Sequence, residues 1–392
     1  MFSDLKYLKN RNIIILSIVK WGKMRVSKHH YALELASASN KVYYVEPPDI
    51  LLKESFRISK SDENNNLFII TYKPVARGKR FFPPSIYRYI EWIQSKWLLN
   101  KLKIAPDILI SFDPYRFSNL RWFNATTTIF FAADLYKSSD VPGEVITADL
   151  CIGVSPTIVH LLRQSNKMSY FINHGLNRAF VSLANNQLKE YKGWQKNKRI
   201  TVGYIGNLLI GSLDRKSMTT VIREHPDLNF VFWGQYKERQ DNVMSGGSAD
   251  IKEFICFLQN SPNVELAGPK TPMELTTDIL KADMFWLCYD NSYTWAVDGS
   301  NSHKILEYLA TGRPIISSNI SVYQNLELLY MVDSEKKINF NYFFKEKIKE
   351  IPNSESSTKV EKRIQFALSN SYSHHIYEID KLISENTQNL ID

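Results

Sequence analysis

Short, almost wholly apolar runs alternate along the chain with stretches whose apolar residues return every three or four positions. Residues 12–19 form the first run, and a helical pattern follows from about 26 to 39. Similar runs recur at 41–45, 67–71, 107–112, 127–132, 149–154 and 169–172, with helical stretches between most of them. Runs this short and this apolar predict strands buried on both faces, as in a parallel sheet. Their alternation with amphipathic helices predicts a doubly wound α/β architecture. The rhythm breaks over 181–199, which is polar and without a strong apolar period. It resumes with strand-like runs at 200–205, 229–233, 264–267, 284–289 and 314–317, and helices near 215–225, 248–260, 271–281 and 302–311. From about 335 onward the pattern is lysine-rich and helical, ending in a helix near 371–386. The predicted organisation is a domain at 1–185, a linker at 186–199, a second domain at 200–368 and a closing helical segment at 369–392.

One stretch of the second domain stands out, Gly299-Ser-Asn-Ser-His-Lys-Ile-Leu-Glu-Tyr-Leu-Ala-Thr-Gly-Arg-Pro-Ile-Ile-Ser-Ser318. Asn301 or Ser302 can cap a helix there, Gly312 can end it in the left-handed conformation, and Pro314 cannot continue it. Ile305, Leu306 and Leu309 share an inward face, with Lys304 and Glu307 opposite. His303 and Lys304 occupy the first turn, where the helix dipole disfavours cations. An anion at that helix end would account for them. A solvated Lys–Glu pair is the simpler alternative.

At 392 residues the chain has room for two ordinary domains. Its formal charge of +9 (49 basic minus 40 acidic) suggests an anionic partner: nucleic acid, a membrane surface or a nucleotide phosphate. The three cysteines, Cys151, Cys256 and Cys288, are far apart in apolar surroundings and form no disulfide or metal pattern. The first residues do not read as a signal peptide, and no run reaches the length of a membrane span. A cytosolic protein, peripheral at most to a membrane, is expected.

Candidate chemistry concentrates where strands end. Gly206 and Asn207 close the first strand of the second domain, and Gly234 closes the next. Glycines there would let a ligand approach at the carboxyl ends of the strands. Asp214 is a good N-cap, and Arg215 or Lys216 after it could reach a diphosphate. Glu307 suits paired ribose hydroxyls. Tyr289 could stack on a base or pack in the core. In the first domain Asp113, Asp134 and His174 follow strands, and each is a candidate general base for an acceptor hydroxyl. Asp-Pro is a common turn opener, which weighs against Asp113. His174 could equally be a turn residue, and Asp149 begins a strand and reads as structural. Residues 73–103 form a basic–aromatic block with eight Lys and Arg against Glu91 alone. Ile86, Ile90, Ile93 and Trp97 keep helical spacing in it. The block suits an anionic bilayer or a lipid-phosphate acceptor, or a core helix with a solvated basic face. Lys20, Lys23, Arg25 and Lys28 add to the same positive edge.

These motifs resemble the GT-B glycosyltransferases, above all the group 1-like enzymes of bacterial polysaccharide synthesis. Arg25-x3-His29-His30-x-Ala32-x2-Leu35-Ala36 with Val42-x2-Val45-Glu46-Pro47 is similar to the opening of that family. Ala148-Asp149 with Ser155, then Asn173-His174-Gly175, resembles the close of its first domain. Gly203-Tyr-Ile-Gly206 with Asp214, Asn263-Val-Glu-Leu-Ala-Gly268, Glu274-Leu275 and Ala282-Asp283 follow its order. Lys304-Ile-Leu-Glu307-Tyr-Leu-Ala-x-Gly312-x-Pro314 matches best. The resemblance implies two Rossmann-like parallel-sheet domains facing across a cleft, with the last helix crossing back to the first domain. It also implies that Glu307 meets the ribose of a nucleotide-sugar donor, with Lys304 and the backbone near Ser302 at the diphosphate. Many retaining members carry a Glu where this chain has Gly299, beside Asp298. Ser302-His303-Lys304 with Glu307 is instead similar to the Ser-x-Lys-x2-Gln spacing of xanthan-type glucuronosyltransferases, which invert with an N-domain Asp as base. That favours Asp134 and Asp113 over His174.

The expected activity is transfer of a sugar from a nucleotide donor, a UDP-sugar, to a hydroxyl of a lipid-linked or glycan acceptor for a bacterial surface polysaccharide. No metal and no cofactor are called for, because the nucleotide-sugar is a substrate and basic side chains supply the charge. A nucleotide-sugar epimerase of the same fold is the nearest alternative. A non-catalytic basic protein binding membrane or nucleic acid is the other, although no nucleic-acid motif accompanies the charge.

Overall fold

The computed structural model describes residues 2–22, 25–76, 81–134, 142–191, 193–194, 199–237, 249–290, 302–333 and 339–388. The chain divides into two compact units, Met1–His174 with Tyr372–Asp392, and Gly175–Ser371.

In the first unit the elements run β1 (Asn12–Leu16), α1 (Ser27–Ser37), β2 (Lys41–Val45), β3 (Phe56–Lys60), β4 (Leu67–Tyr72), α2 (Pro84–Leu102), β5 (Ile108–Ser111), β6 (Thr127–Ala132), α3 (Gly143–Thr147), β7 (Leu150–Gly153), α4 (Pro156–Arg163) and β8 (Ser169–Phe171). The strands lie in the order β3-β4-β2-β1-β5-β6-β7-β8, all parallel except β3. Ile13–Leu16 of the central β1 are wholly buried, as a continuous apolar run between two layers requires. The order reverses around β1, which pairs β2 on one side and β5 on the other. Sheets of this kind leave a crevice for ligands at the carboxyl ends beside that reversal. The sequence pattern missed β3. This antiparallel edge strand is largely exposed and carries Arg57 and Lys60, charges that protect an edge but hide it from an apolar search.

In the second unit the elements are α5 (Arg178–Glu190), β9 (Thr201–Ile205), α6 (Arg215–Glu224), β10 (Asn229–Trp233), α7 (Ala249–Asn260), β11 (Val264–Leu266), α8 (Pro272–Asp278), β12 (Met284–Leu287), α9 (Lys304–Leu309), β13 (Ile315–Ser317), β14 (Tyr330–Met331), α10 (Phe340–Ser354) and α11 (Ser357–Ser369). The parallel sheet has the order β11-β10-β9-β12-β13-β14 and reverses between β9 and β12. Strand β14, two residues long, was too short to read from the sequence.

The stretch expected to be irregular from 181, and a linker from 186, begins inside α5. Asn177 caps that helix, and Phe180, Leu183, Ala184 and Gln187 turn inward at helical spacing. Its first anchor, Phe180, lies one residue before the polar window, which is why the window showed no period. Cys256 is a second correction. It is exposed on α7, two residues from the inward Phe254 and Leu258, while Cys151 and Cys288 are buried. The last helix, α12 (Tyr372–Gln388), belongs to the first unit. Ile376, Ile379 and Ile383 enter that core, and the Asp380 carboxylate accepts from the backbone amides of Lys6, Tyr7 and Leu8 at 2.7–3.0 Å. Among the described residues no helix is long and apolar enough to cross a membrane.

Candidate functional site

At the reversal of the second sheet, β9 ends in Ile205 and turns at Gly206. Gly206 has φ +148° and Gly234 has φ +149°, a region that favours glycine. A Cβ on Gly234 would strike the backbone of Gly206, and one on Gly206 would strike the Nζ and Cε of Lys304. Both glycines thus have a packing role inside the fold beside the ligand approach expected of them. Gly234 lets two strand ends pass each other, and Gly206 makes room for a lysine. The Gly206 amide donates to the Trp233 carbonyl (2.7 Å) and the Gly234 amide to the Gly268 carbonyl (2.9 Å), which fixes the corner. Asn207 is exposed, and its side chain accepts from the Leu209 amide, a tight turn within the loop.

Helix α9 is shorter than expected, and His303 stands at its N-cap position without a side-chain cap. Among the described residues the half-buried Ser302 contributes its carbonyl, which accepts from Ile305 (3.1 Å); Asn301, Asp298 and Gly299 lie outside the described residues. Ile305, Leu306 and Leu309 are wholly buried, as their spacing predicts. Gly312 takes φ +72°, and a Cβ there would also meet Val360 and Ile364, so both backbone and packing require glycine. Two tyrosines that the sequence reading missed tie α9 to β9. The Ile205 amide donates to the Tyr308 hydroxyl (2.7 Å), and Tyr308 stacks flat on Phe285 with centroids 4.4 Å apart. The buried Tyr204 places its hydroxyl 3.5 Å from the Lys304 ammonium, which sits 5.2 Å from the centre of the Tyr204 ring. The signal available was position: Tyr204 precedes the glycine turn by two residues and Tyr308 follows Lys304 by four.

Lys304 turns toward Tyr204 and Gly206, and it forms no salt bridge with Glu307 among the described residues. The solvated Lys–Glu pair is therefore not what forms. Glu307 is half-buried and has no hydrogen bond to a described residue. Desolvation pushes its carboxyl up to about 7, with the charge of Lys304 opposing. His303 is exposed at the start of α9. Desolvation first, and the Lys304 charge second, lower its basicity, so Lys304 is the cation of this pair.

The other residues predicted in this unit act mainly as scaffold. Arg215 is buried at the start of α6, where it donates to the carbonyls of Leu208 and Ile210 and pairs with Asp250 (3.2 Å). It holds the loop after β9, which displaces the diphosphate role expected for it. Lys216 is exposed on the same turn, and Asp214 caps α6 by accepting from Ser217. Tyr289 is buried at the end of β12, and its amide donates to Ser318 Oγ (3.0 Å), so it packs in the core.

In the first unit Asp113 follows β5 and is buried. Its carboxylate accepts from the Tyr115 amide (2.9 Å) and from Arg116. Arg116 also donates to the Tyr72 hydroxyl (2.8 Å) and the carbonyls of Glu46 (3.0 Å) and Ser17 (2.6 Å). This closed network knits the carboxyl ends of β1, β2, β4 and β5, and leaves Asp113 a structural ion rather than a free base. Asp134, after β6, is open at its tip, although protein crowds it enough for desolvation to raise its carboxyl, against the opposing charge of Lys28. Lys28 itself is only 6% exposed in the first turn of α1 and has no hydrogen bond or salt bridge to a described residue. Burial lowers its basicity, and Asp134 and then Asp113 oppose that. His174 is buried beside His375 of α12. Asp149 accepts from the Thr128 amide (2.7 Å) and hydroxyl (2.8 Å), a structural role as read.

No protein-family model matches this sequence, and no curated protein matches it. Solved structures do match over nearly its whole length. Sucrose-phosphate synthase from Thermosynechococcus elongatus is 12% identical with a TM-score of 0.64, covering 97% of this chain and 100% of its own. An α,α-trehalose-phosphate synthase (UDP-forming) from Burkholderia vietnamiensis is 12% identical with a TM-score of 0.65, covering 96% of this chain and 97% of its own. Anabaena HepE, solved in complex with UDP, is 12% identical with a TM-score of 0.61, covering 96% and 100%. With its two parallel-sheet units, the chain has the GT-B fold of these glycosyltransferases.

Proposed function

We propose that the protein is a glycosyltransferase that takes a sugar from a nucleotide donor, a UDP-sugar, to a hydroxyl acceptor. One observation carries this reading. At the reversal of the second sheet, a cation and a carboxylate share one face of a short helix without bonding each other. Lys304 serves the diphosphate, and Glu307 accepts from the ribose hydroxyls. The GT-B fold and the UDP carried by HepE support the donor class. Asp134 is the favoured base, held by the neighbouring charge of Lys28; Asp113 is committed to Arg116. The acceptor oxygen bonds the anomeric carbon, its proton passes to the carboxylate, and the diphosphate leaves with the electron pair. Lys304 supplies positive charge for that leaving group, so the step as written calls for no metal. The acceptor we favour is a lipid-linked precursor of a surface polysaccharide, met at the cytosolic side of a membrane.

The test is thermal stabilisation by UDP and a panel of nucleotide-sugars on wild type, Lys304→Ala and Glu307→Ala. At saturating donor the wild type should gain about 2–3 kcal/mol, and each variant should lose most of that gain. Equal stabilisation of all three proteins removes the donor site from α9.

A further inference from the structure

Helix α2 is amphipathic the wrong way round for a core helix. Of the two readings of Ile86, Ile90, Ile93 and Trp97, a core face or a bilayer face, the first does not hold for the N-terminal half of the helix. Of the four only Trp97 packs against the core, and the residues buried along α2 are Glu91, Gln94, Ser95, Leu98 and Leu102. At about 100° per residue these five cluster on one side of the helix. Their polar groups hold loops. Glu91 accepts from the amide and hydroxyl of Ser118 (3.1 and 2.7 Å), and Gln94 accepts from the Val75 amide (2.6 Å). The opposite side turns Ile86, Tyr89 and Trp92 outward, with Phe81 and Phe82 just before the helix. Phe81 is 73% exposed and Tyr89 60% exposed, and the rings of Tyr89 and Trp92 stack at 5.5 Å. Exposed apolar groups in a contiguous group of this kind mark an interaction surface.

The charge around the patch selects its partner. The exposed Arg88 lies on the same turn as Tyr89, and the sequence just before Phe81 reads Arg77-Gly-Lys-Arg80. The block's one acidic residue, Glu91, faces inward and is bonded to Ser118. Aromatic rings flanked by cations, with no outward carboxylate, suit the interface of an anionic bilayer, where rings settle at the headgroup level and cations meet lipid phosphates.

We infer that the N-terminal end of α2 docks the protein on anionic membranes by inserting Phe81, Phe82, Ile86, Tyr89 and Trp92 into the bilayer interface. This deepens the membrane half of the proposed function, and it needs no donor. A failure here leaves the Lys304–Glu307 site standing, and a failure of that site leaves this one.

The test is co-sedimentation of the full chain with vesicles of phosphatidylcholine alone or with 30% phosphatidylglycerol (about one anionic lipid in three), beside a Phe82→Ser/Tyr89→Ser/Trp92→Ser variant. The wild type should prefer the anionic vesicles, and the variant should bind them at least about tenfold more weakly with an unchanged melting temperature. Binding in 0.5 M salt should be reduced but retained, roughly as insertion resists the screening that removes charge attraction. Three results overturn the inference. They are no binding to anionic vesicles, equal binding of the variant with full loss in salt, and a concentration-dependent dimer that the variant abolishes without any vesicle binding. The last would make the patch a contact between copies.

Discussion

The carboxyl edges of the two sheets differ in what their charged groups are bonded to. In the first unit the buried Asp113 and the half-buried Arg116 close on each other, on Tyr72 and on two backbone carbonyls. Nearby, His29 accepts from the Val26 amide through Nδ1 and reaches the Lys20 carbonyl through Nε2, so both ring nitrogens are used. In the second unit, Lys304 has one long contact to a hydroxyl and Glu307 has no hydrogen bond to a described residue. A closed network repays its desolvation internally and fixes the loops it joins. A half-buried, open pair carries the same cost without that return, which makes sense where a ligand completes it. Asp134 and Lys28 are the part of the first edge that shares the open character.

The largest test of this difference is to remove one cation from each edge. Arg116→Met would leave Asp113 charged and buried without its partner, and should cost about 3–5 kcal/mol in urea unfolding. Lys304→Met breaks no ion pair with a described residue and replaces a desolvated charge with an isosteric apolar chain, so it should lie within about 1 kcal/mol of wild type. A loss at Lys304 as large as that at Arg116 would mean that the second edge is also scaffold.

The architecture was legible because it rests on strands such as Ile13–Leu16 and Met284–Leu287, whose burial on both faces leaves an unbroken apolar run. Helix α5 and strand β3 were not legible, the first because its anchor Phe180 lies outside the polar window, the second because an edge strand is half solvent. The face of α2 was left open between core and bilayer for another reason. Spacing shows that apolar residues share a side, but not whether the protein or the solvent meets it. At the candidate site, residue types were legible and bonding was not. Arg215 and Lys304 both look available in sequence, and only the fold shows one held by carbonyls and the other beside a glycine corner.

A second separation of the two units is by pH, and the signs are opposite. His375 is buried on α12, where Tyr31 meets its Nδ1 at 3.0 Å. Desolvation, followed by the charges of His374 and His174, lowers its pKa to about 3, and that of His29 falls to about 4. Both bind protons more readily when unfolded. Their stabilising contribution is present above about 6.5 and is lost as the pH falls toward the folded values. Each should cost the first unit about 2 kcal/mol between pH 6.5 and 5. Hydrogen exchange followed peptide by peptide should show that loss in α1 and α12, and His375→Gln should remove the part due to His375. An unchanged slope in that variant would mean His375 is protonated in the fold.

The last effect belongs to Glu307, and it tests the open edge most directly. Its carboxyl is held up to about 7, above its ordinary value, so the folded second unit binds a proton more readily than the unfolded chain. The stability tied to that group is present below about 4.5 and is lost as the pH rises through 7, the reverse of the histidines. Glu307→Gln keeps the shape and removes the charge, and should raise stability at pH 8 by about 2.5 kcal/mol more than at pH 5. If ribose hydroxyls donate to the carboxylate, UDP affinity in the wild type should rise as the pH climbs from 6 to 8, and the variant should show a flat profile. Calorimetric titration across that range measures both. A stabilised variant with flat UDP binding in both proteins would keep Glu307 as a strained carboxylate and take the ribose away from it. A variant that is destabilised at pH 8 would mean that the carboxylate already has a partner in the fold, and the contrast between the two edges would fail at its central residue.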